Sequence, residues 1–221
     1  MTTKFRVVCP VARFDNIPKI KNVLRDQGVI LHFVTDSDNP KSHEYTPDEP
    51  WVFHHICEQG DRTLFWDRSN NALNWFLDNI TIEPNDIYCF LNDDDAYEPE
   101  YFNKLRTVIE WHPYEINVIV TSMMRGDDIP KDVIGTNRHH HTNTLVAHPM
   151  FMQPMKVGLE QIAVKGKIII MGKYRFPKYD CGDGIFITAI TQQNHTMYLP
   201  EIFVWFNYFE PGRWSNSTVY G

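Results

Sequence analysis

Three adjacent carboxylates, Asp93, Asp94 and Asp95, follow directly on the apolar run Tyr88-Cys89-Phe90-Leu91. Like charges packed this closely repel one another, so the triplet is costly unless a cation neutralises it. Hard oxygen donors at this density suit Mg2+ or Mn2+, which usually takes one or two carboxylates and completes its shell with phosphate oxygens and water. A solvated acidic turn is the plainer reading of a bare Asp triplet. Its place after a strand-like run, and ahead of Tyr97-x-Pro99 and a helix, favours a metal site, because open α/β sheets bind ligands at the carboxyl ends of their strands. The second concentration of chemistry is Tyr179-Asp180-Cys181-Gly182-Asp183-Gly184. A Gly-Asp-Gly bend opening a helix puts a carboxylate beside free backbone amides, either as a reacting group or as a helix N-cap.

The elements that must position these groups alternate along the chain. Phe5–Cys9 reads as a strand ended by Pro10, and Asp15-Asn16 with Pro18 starts a helix whose apolar face is Ile20, Val23 and Leu24, closed by Gly28. Val29–Val34 is a second strand running into a turn at 35–40, and Pro40–Pro50 is polar and proline-rich, as an exposed loop would be. Helical spacing returns over Asn70–Ile80, a strand over Asp86–Leu91, a helix over Tyr101–Trp111 and a strand over Val118–Met123. That alternation predicts an α/β fold with a mainly parallel sheet. Arg125–Met155 breaks the pattern and reads as a long loop. Beyond it lie Lys167–Met171, a helix over Ile185–Ile190 and the run Met197–Phe206.

The acidic segment resembles the Asp-x-Asp region of GT-A glycosyltransferases, in the form LDDDxxYxPxYL found among family 2-like members. Val8-Cys9-Pro10-Val11-Ala12-Arg13 is similar to the opening strand and its Pro/Arg loop, Phe33-Val34-Thr35-Asp36-Ser37 to the second strand, and Arg68-Ser69-Asn70-Asn71-Ala72 to the segment opening the next helix. The resemblance covers roughly the first 110 residues and implies a GT-A type α/β fold with a Rossmann-like nucleotide-binding half and a smaller acceptor-binding part. It implies that Pro10, Arg13, Asp36, Arg68, Asp93 and Asp94 meet a nucleotide-sugar, with Asp36 at the base. Asp95 and Asp93 would hold Mn2+ or Mg2+, and His195 is similar to a late histidine that ligates the metal in some retaining members. Asp183 is similar to the base of inverting members, with Asp180 its substitute; a retaining enzyme needs no such base, so stereochemistry stays open. Asn92 stands where many members carry a first Asp. In size and style the chain also resembles the compact capsid-glycosylating transferases encoded by large algal viruses.

Composition bounds the partners. A net charge of −7 over 221 residues, with no basic stripe, argues against nucleic acid. No apolar run approaches a membrane span, no signal-peptide pattern follows Met1, and the four cysteines (Cys9, Cys57, Cys89, Cys181) show no CxxC pair, which together predict a soluble cytoplasmic protein with reduced thiols. The sequons at Asn79, Asn194 and Asn216 then match by chance. Residues 1–124 are expected to bind nucleotide-sugar and metal, and 125–221 to bind a glycan or glycoprotein acceptor and complete catalysis within the same domain, with a homo-oligomer as a candidate state. Trp205, Phe206, Tyr208 and Trp214 are suited either to stack on a sugar or to fill the core. His139, His140, His141 and His148 read as a flexible loop rather than one metal shell, and Arg125 and Lys173 are phosphate candidates on charge alone. Two rival functions remain: a sugar-nucleotide nucleotidyltransferase, whose Gly-rich loop is missing from Cys9–Asn16, and a non-enzymatic carbohydrate- or Ca2+-binding module.

Overall fold

The computed structural model describes residues 3–58, 65–112, 116–125, 144–145, 147–154, 157–177, 182–206 and 208–209. Four parallel strands form one side of a single sheet: β1 (Phe5–Val11), β2 (Val29–Asp36), β3 (Val52–Cys57) and β4 (Ile87–Phe90), in the order β3-β2-β1-β4. Beyond β4 the sheet continues through β8 (Ile162–Lys165), β6 (Val118–Arg125) and β9 (Thr196–Phe206) to the two-residue β5 (Ala96–Tyr97), with β7 (Thr144–Leu145) paired to β6. β8 is antiparallel to both neighbours, whereas β6 and β9 run parallel to each other.

Period-2 alternation sends each strand's side chains to two cores. Phe5, Val7, Cys9 and Val11 face one layer with α1 (Ile17–Leu24) and α4 (Tyr101–Trp111). Val8 faces the other, where α3 (Phe65–Asn79), α5 (Gly166–Gly172) and α6 (Gly182–Gln193) bury Leu73, Phe76, Ile168, Phe186 and Ile187. α4 forms because Tyr101, Phe102, Leu105 and Val108 recur on one helical face. Among the described residues, no helix is long and apolar enough to cross a membrane.

Several expectations needed correction. β1 runs through Pro10 to Val11, since its last pairings are to β2. α1 stops at Leu24; Asp26 adopts the left-handed conformation (φ 63°), and Gly28, also left-handed (φ 63°), sets up β2 instead of closing the helix. The expected loop from Pro40 contains a short helix, α2 (Pro40–Glu44), because Asn39 caps it by accepting from the Lys41 N–H (3.1 Å) and Pro40 suits the first turn. Strands β3, β5 and β8 carried no readable pattern. Cys9, Cys57 and Cys89 are free and buried.

Under α3, a polar chain crosses the parallel strands. Lys4 N–H and Arg6 Nε both donate to Asp86 (3.1 and 2.6 Å), Arg6 Nη1 meets His32 Nε2 at 3.3 Å, and His32 Nδ1 meets His55 Nε2 at 3.0 Å. The His32 ring lies among Phe53, His55 and Phe76, with centroids 5.0–5.3 Å away. Burial, then the charges of His55 and Arg6, pull its pKa from 6.5 down to about 3. The unfolded chain therefore takes up a proton below about pH 6.5 that the folded chain refuses until about 3, so this residue costs stability as pH falls through that window. His32→Phe, which keeps the ring packing, is expected to flatten the loss of melting temperature between pH 6.5 and pH 4 relative to wild type, as read by circular dichroism.

Candidate functional site

Register brings the key residues to one edge. Val8 lies beside Phe90 and Val11 beside Thr35, so the carboxyl ends of β1, β2 and β4 are level. The loop after β4 is pinned on several sides. Tyr97 Oη donates to the Phe90 carbonyl (2.5 Å), Asp95 N–H to the Asn92 carbonyl (3.2 Å) and Phe209 N–H to the Asp94 carbonyl (2.9 Å). Ala96 and Tyr97 pair with Trp205 and Val204 of β9. Tyr97 also stacks flat on Tyr101 (4.4 Å, 4°), which explains the Tyr97-x-Pro99 element as a clasp on the loop.

Within this loop the three aspartates meet different partners. Asp93, 3% exposed, accepts from the backbone N–H groups of Ala12 and Arg13 (2.8 and 2.7 Å), from Arg13 Nε (2.8 Å) and from Arg13 Nη2. Arg13 Nη1 donates to Asp94 (2.8 Å). Burial pulls the Arg13 guanidinium down, but the bonds and charges of Asp93 and Asp94 outweigh it and hold it above its ordinary value. Burial raises Asp94, an effect Arg13 opposes. Asp95 is fully buried and lies near the Glu160 carboxyl group. Glu160, 1% exposed, is raised to about 7 by burial and by the charge of Asp183. Burial lifts the Cys9 thiol well above its usual range, and the charges of Asp93, Asp95, Asp94 and Glu160 all add to that.

Other expected residues fall as follows. Pro10 is a buried member of β1. Asp36 ends β2 and accepts from the Asp38 N–H (2.9 Å), while its carbonyl takes the Ser42 hydroxyl (2.6 Å). Arg68 is exposed on α3; its neighbours Ser69, Asn70 and Asn74 reach inward instead, to Asn92 (3.4 Å), the Pro177 carbonyl (3.2 Å) and the Phe176 carbonyl (2.8 Å). Gly182 needs its missing side chain, because a Cβ there would strike the Pro177 carbonyl and the Asn70 amide. That contact seats the first turn of α6, where Asp183 is half-buried and accepts from the Gly184 N–H (2.7 Å). Asp183 thus lies inside the turn, not at its cap.

His195 is corrected. It is exposed, one residue before β9, whereas Ala96 pairs with Trp205 ten residues further along that strand. At about 3.3 Å per residue it is roughly 30 Å from the acidic loop, too far to share a cation with Asp95. Trp205 is a core residue packed with Ala96 and Ile202, and Phe206 and Tyr208 are half-buried. Lys173 is an exposed residue after α5, and His148 receives the Met150 N–H (3.2 Å). Asp180, His139, His140, His141 and Trp214 lie outside the described residues. Glu160 was missed, as a lone Glu in Gly158-Leu159-Glu160-Gln161 carries no local signal.

No protein-family model and no curated protein matches the chain in sequence. Its fold matches solved structures. S. aureus TarS 1-349 superposes with TM-score 0.59 at 15% identity, over 92% of this chain and 60% of that one. The same protein in complex with UDP gives 0.58 at 13%, again over 92% and 60%. A 4-diphosphocytidyl-2C-methyl-D-erythritol synthase gives 0.46 at 10%, over 90% of each chain. The chain therefore spans 60% of the length of TarS 1-349. The shared feature is the fold, an α/β architecture of GT-A type with a mostly parallel sheet flanked by helices. Nothing in these likenesses extends the resemblance to viral transferases.

Arg13→Leu is expected to strand two buried carboxylates. Breaking a buried ion pair costs about 3–5 kcal/mol, and the partial exposure of Arg13 brings the expected loss to roughly 2–4 kcal/mol. Urea unfolding measures it, and a loss under about 1 kcal/mol would deny Arg13 its anchoring role.

Proposed function

We propose that the chain is a glycosyltransferase that moves a sugar from a UDP- or GDP-sugar to a hydroxyl of a glycan or glycoprotein. The observation that carries this reading is convergence: Ala12 and Arg13 after β1, Asp36 and the acidic loop stand at the carboxyl edge of one sheet, where such folds take ligands, and Asp183 lies near enough for its charge to act on Glu160. The likeness in fold to a protein solved with UDP supports a uridine nucleotide as the first to try.

The donor set suits Mg2+ or Mn2+. The sequence points to Asp95 and Asp93 as the metal pair, but both oxygens of Asp93 are taken by Arg13 and the backbone after β1, so we assign the cation to Asp95 with Asp94, whose Oδ2 alone meets Arg13. Among the described residues, no three His, Cys, Asp or Glu groups already converge as a metal shell. One or two carboxylates with diphosphate oxygens and water is the usual Mg2+ arrangement. The cation would supply charge neutralisation for the departing nucleoside diphosphate. The rest of the chemistry belongs to the chain. Pro10 and Asp36 border the base and ribose, Arg13 holds the acidic loop closed and shares its edge with the diphosphate, and Asp183 takes the proton of the acceptor hydroxyl if the reaction inverts.

Titration calorimetry with UDP is expected to show binding that depends on Mn2+ and is lost with EDTA. Asp95→Asn should remove the Mn2+-dependent part while leaving the melting temperature close to wild type. Equal binding in EDTA sinks the metal assignment. Turnover of CTP or UTP with a sugar phosphate, releasing pyrophosphate, would replace glycosyl transfer with nucleotidyl transfer.

Asp183→Asn should leave UDP and Mn2+ binding unchanged and lower transfer by about 10²–10⁴-fold, the usual contribution of a positioned base. Surviving activity would reduce Asp183 to a structural member of the first turn of α6.

A further inference from the structure

Asn92 opens the acidic loop, and the group facing it is Glu160, 68 residues away in sequence. Oε1 of Glu160 accepts from both the backbone N–H (3.2 Å) and the side-chain amide (2.5 Å) of Asn92. Glu160 is itself held from behind. It sits in a single 3-10 turn (Leu159–Gln161) whose Gln161 side chain accepts from the Gly158 N–H (2.8 Å) and donates to the Thr121 carbonyl of β6 (2.8 Å). An aspartate at position 92 would set a second carboxylate against Glu160 in a buried place, whereas the asparagine supplies the N–H donor that Glu160 needs. A leucine at 160 would spare the burial of an acid but leave both Asn92 donors unmet.

We propose that Glu160 is a positioning residue for the nucleotide site: paired with Asn92, it fixes the acidic loop in the shape that receives the cation and diphosphate. This rests on the transferase reading and adds to it a residue from a different element, the turn before β8. Asn92 and Glu160 form a matched amide–carboxyl pair, so an acid at 92 should break the lock, and an amide at 160 should relieve that break.

The test compares wild type, Glu160→Gln, Glu160→Leu, Asn92→Asp and the double variant N92D/E160Q. Each is titrated with UDP, with and without Mn2+, by calorimetry at a temperature where its circular dichroism shows it folded. Glu160→Leu and Asn92→Asp are each expected to weaken Mn2+-dependent UDP binding by about ten- to a hundredfold, the scale of a lost buried charge-assisted hydrogen bond. Glu160→Gln keeps an acceptor for both Asn92 donors, and should lose about tenfold less than Glu160→Leu. The double variant should recover most of the loss seen in Asn92→Asp. The proposal is overturned if folded Glu160→Leu binds as wild type does, or if the double variant binds no better than Asn92→Asp. If wild type binds neither UDP nor GDP with Mn2+, the transferase reading fails by itself. The same variants then report the pairing through their melting temperatures: recovery in the double variant sustains the lock on the loop, and its absence removes it.

Discussion

The structure turns on how four carboxyl groups are kept in a nearly dry place at the end of β4. A buried carboxylate is tolerated only when donors or a cation replace its lost water. Here each group meets that demand differently. Asp93 is wrapped by two backbone N–H groups and the Arg13 fork, and Asp94 takes the remaining arm of the same guanidinium. Glu160 responds by holding its proton to about pH 7 and by accepting twice from Asn92. The loop after β1 therefore takes its conformation from the loop after β4, and neither can be changed without exposing the other to an uncompensated charge.

Topology makes this arrangement reachable. The parallel strands β1, β2 and β4 deliver their loops to one edge, as an α/β sheet must. Reversal of β8 is the added element. Because β8 runs antiparallel to β4, the turn that precedes it arrives at the edge where β4 ends, and Glu160 stands opposite Asn92. On the same side, the inward asparagines of α3 hold Phe176 and Pro177, and Gly182 rests on Asn70, so α6 begins beside the acids. Pairing of Ala96 with Trp205 and the bond from Phe209 to Asp94 close the loop from the side of β9.

Much of this was legible in the chain. The β1, β2 and β4 runs were continuous and apolar because those strands are covered on both faces, and α3 and α4 had clear helical spacing. The triplet's position followed from the strand that carries it. β3 was hidden by two histidines in Val52–Cys57, whose rings pack against Phe76 and Tyr45 rather than marking a polar loop. β5 and β8 are too short, at two and four residues, for any period to show. Glu160 was invisible for a different reason: its significance lies in a contact across 68 residues, which no local pattern encodes. His195 misled because nearness to a plausible strand says nothing about which end of the sheet it occupies, and β9 carries it to the far one.

The deeper difficulty is that three identical residues in a row are not three equivalent groups. Sequence alone treats Asp93, Asp94 and Asp95 as one block of charge awaiting one cation. In the fold, Asp93 turns to the β1 loop, Asp94 lies between Arg13 and the segment at Phe209, and Asp95 turns inward to Glu160. Arg13 already answers the first two charges, so the aspartates divide into an anchor, a shared contact and a buried member whose partner is another acid. Two buried acids brought this close repel when both are charged, so one of them must stay neutral or a cation must offset them. What the loop can offer to the proposed diphosphate is therefore set less by the number of its carboxylates than by the neighbours that have already committed them.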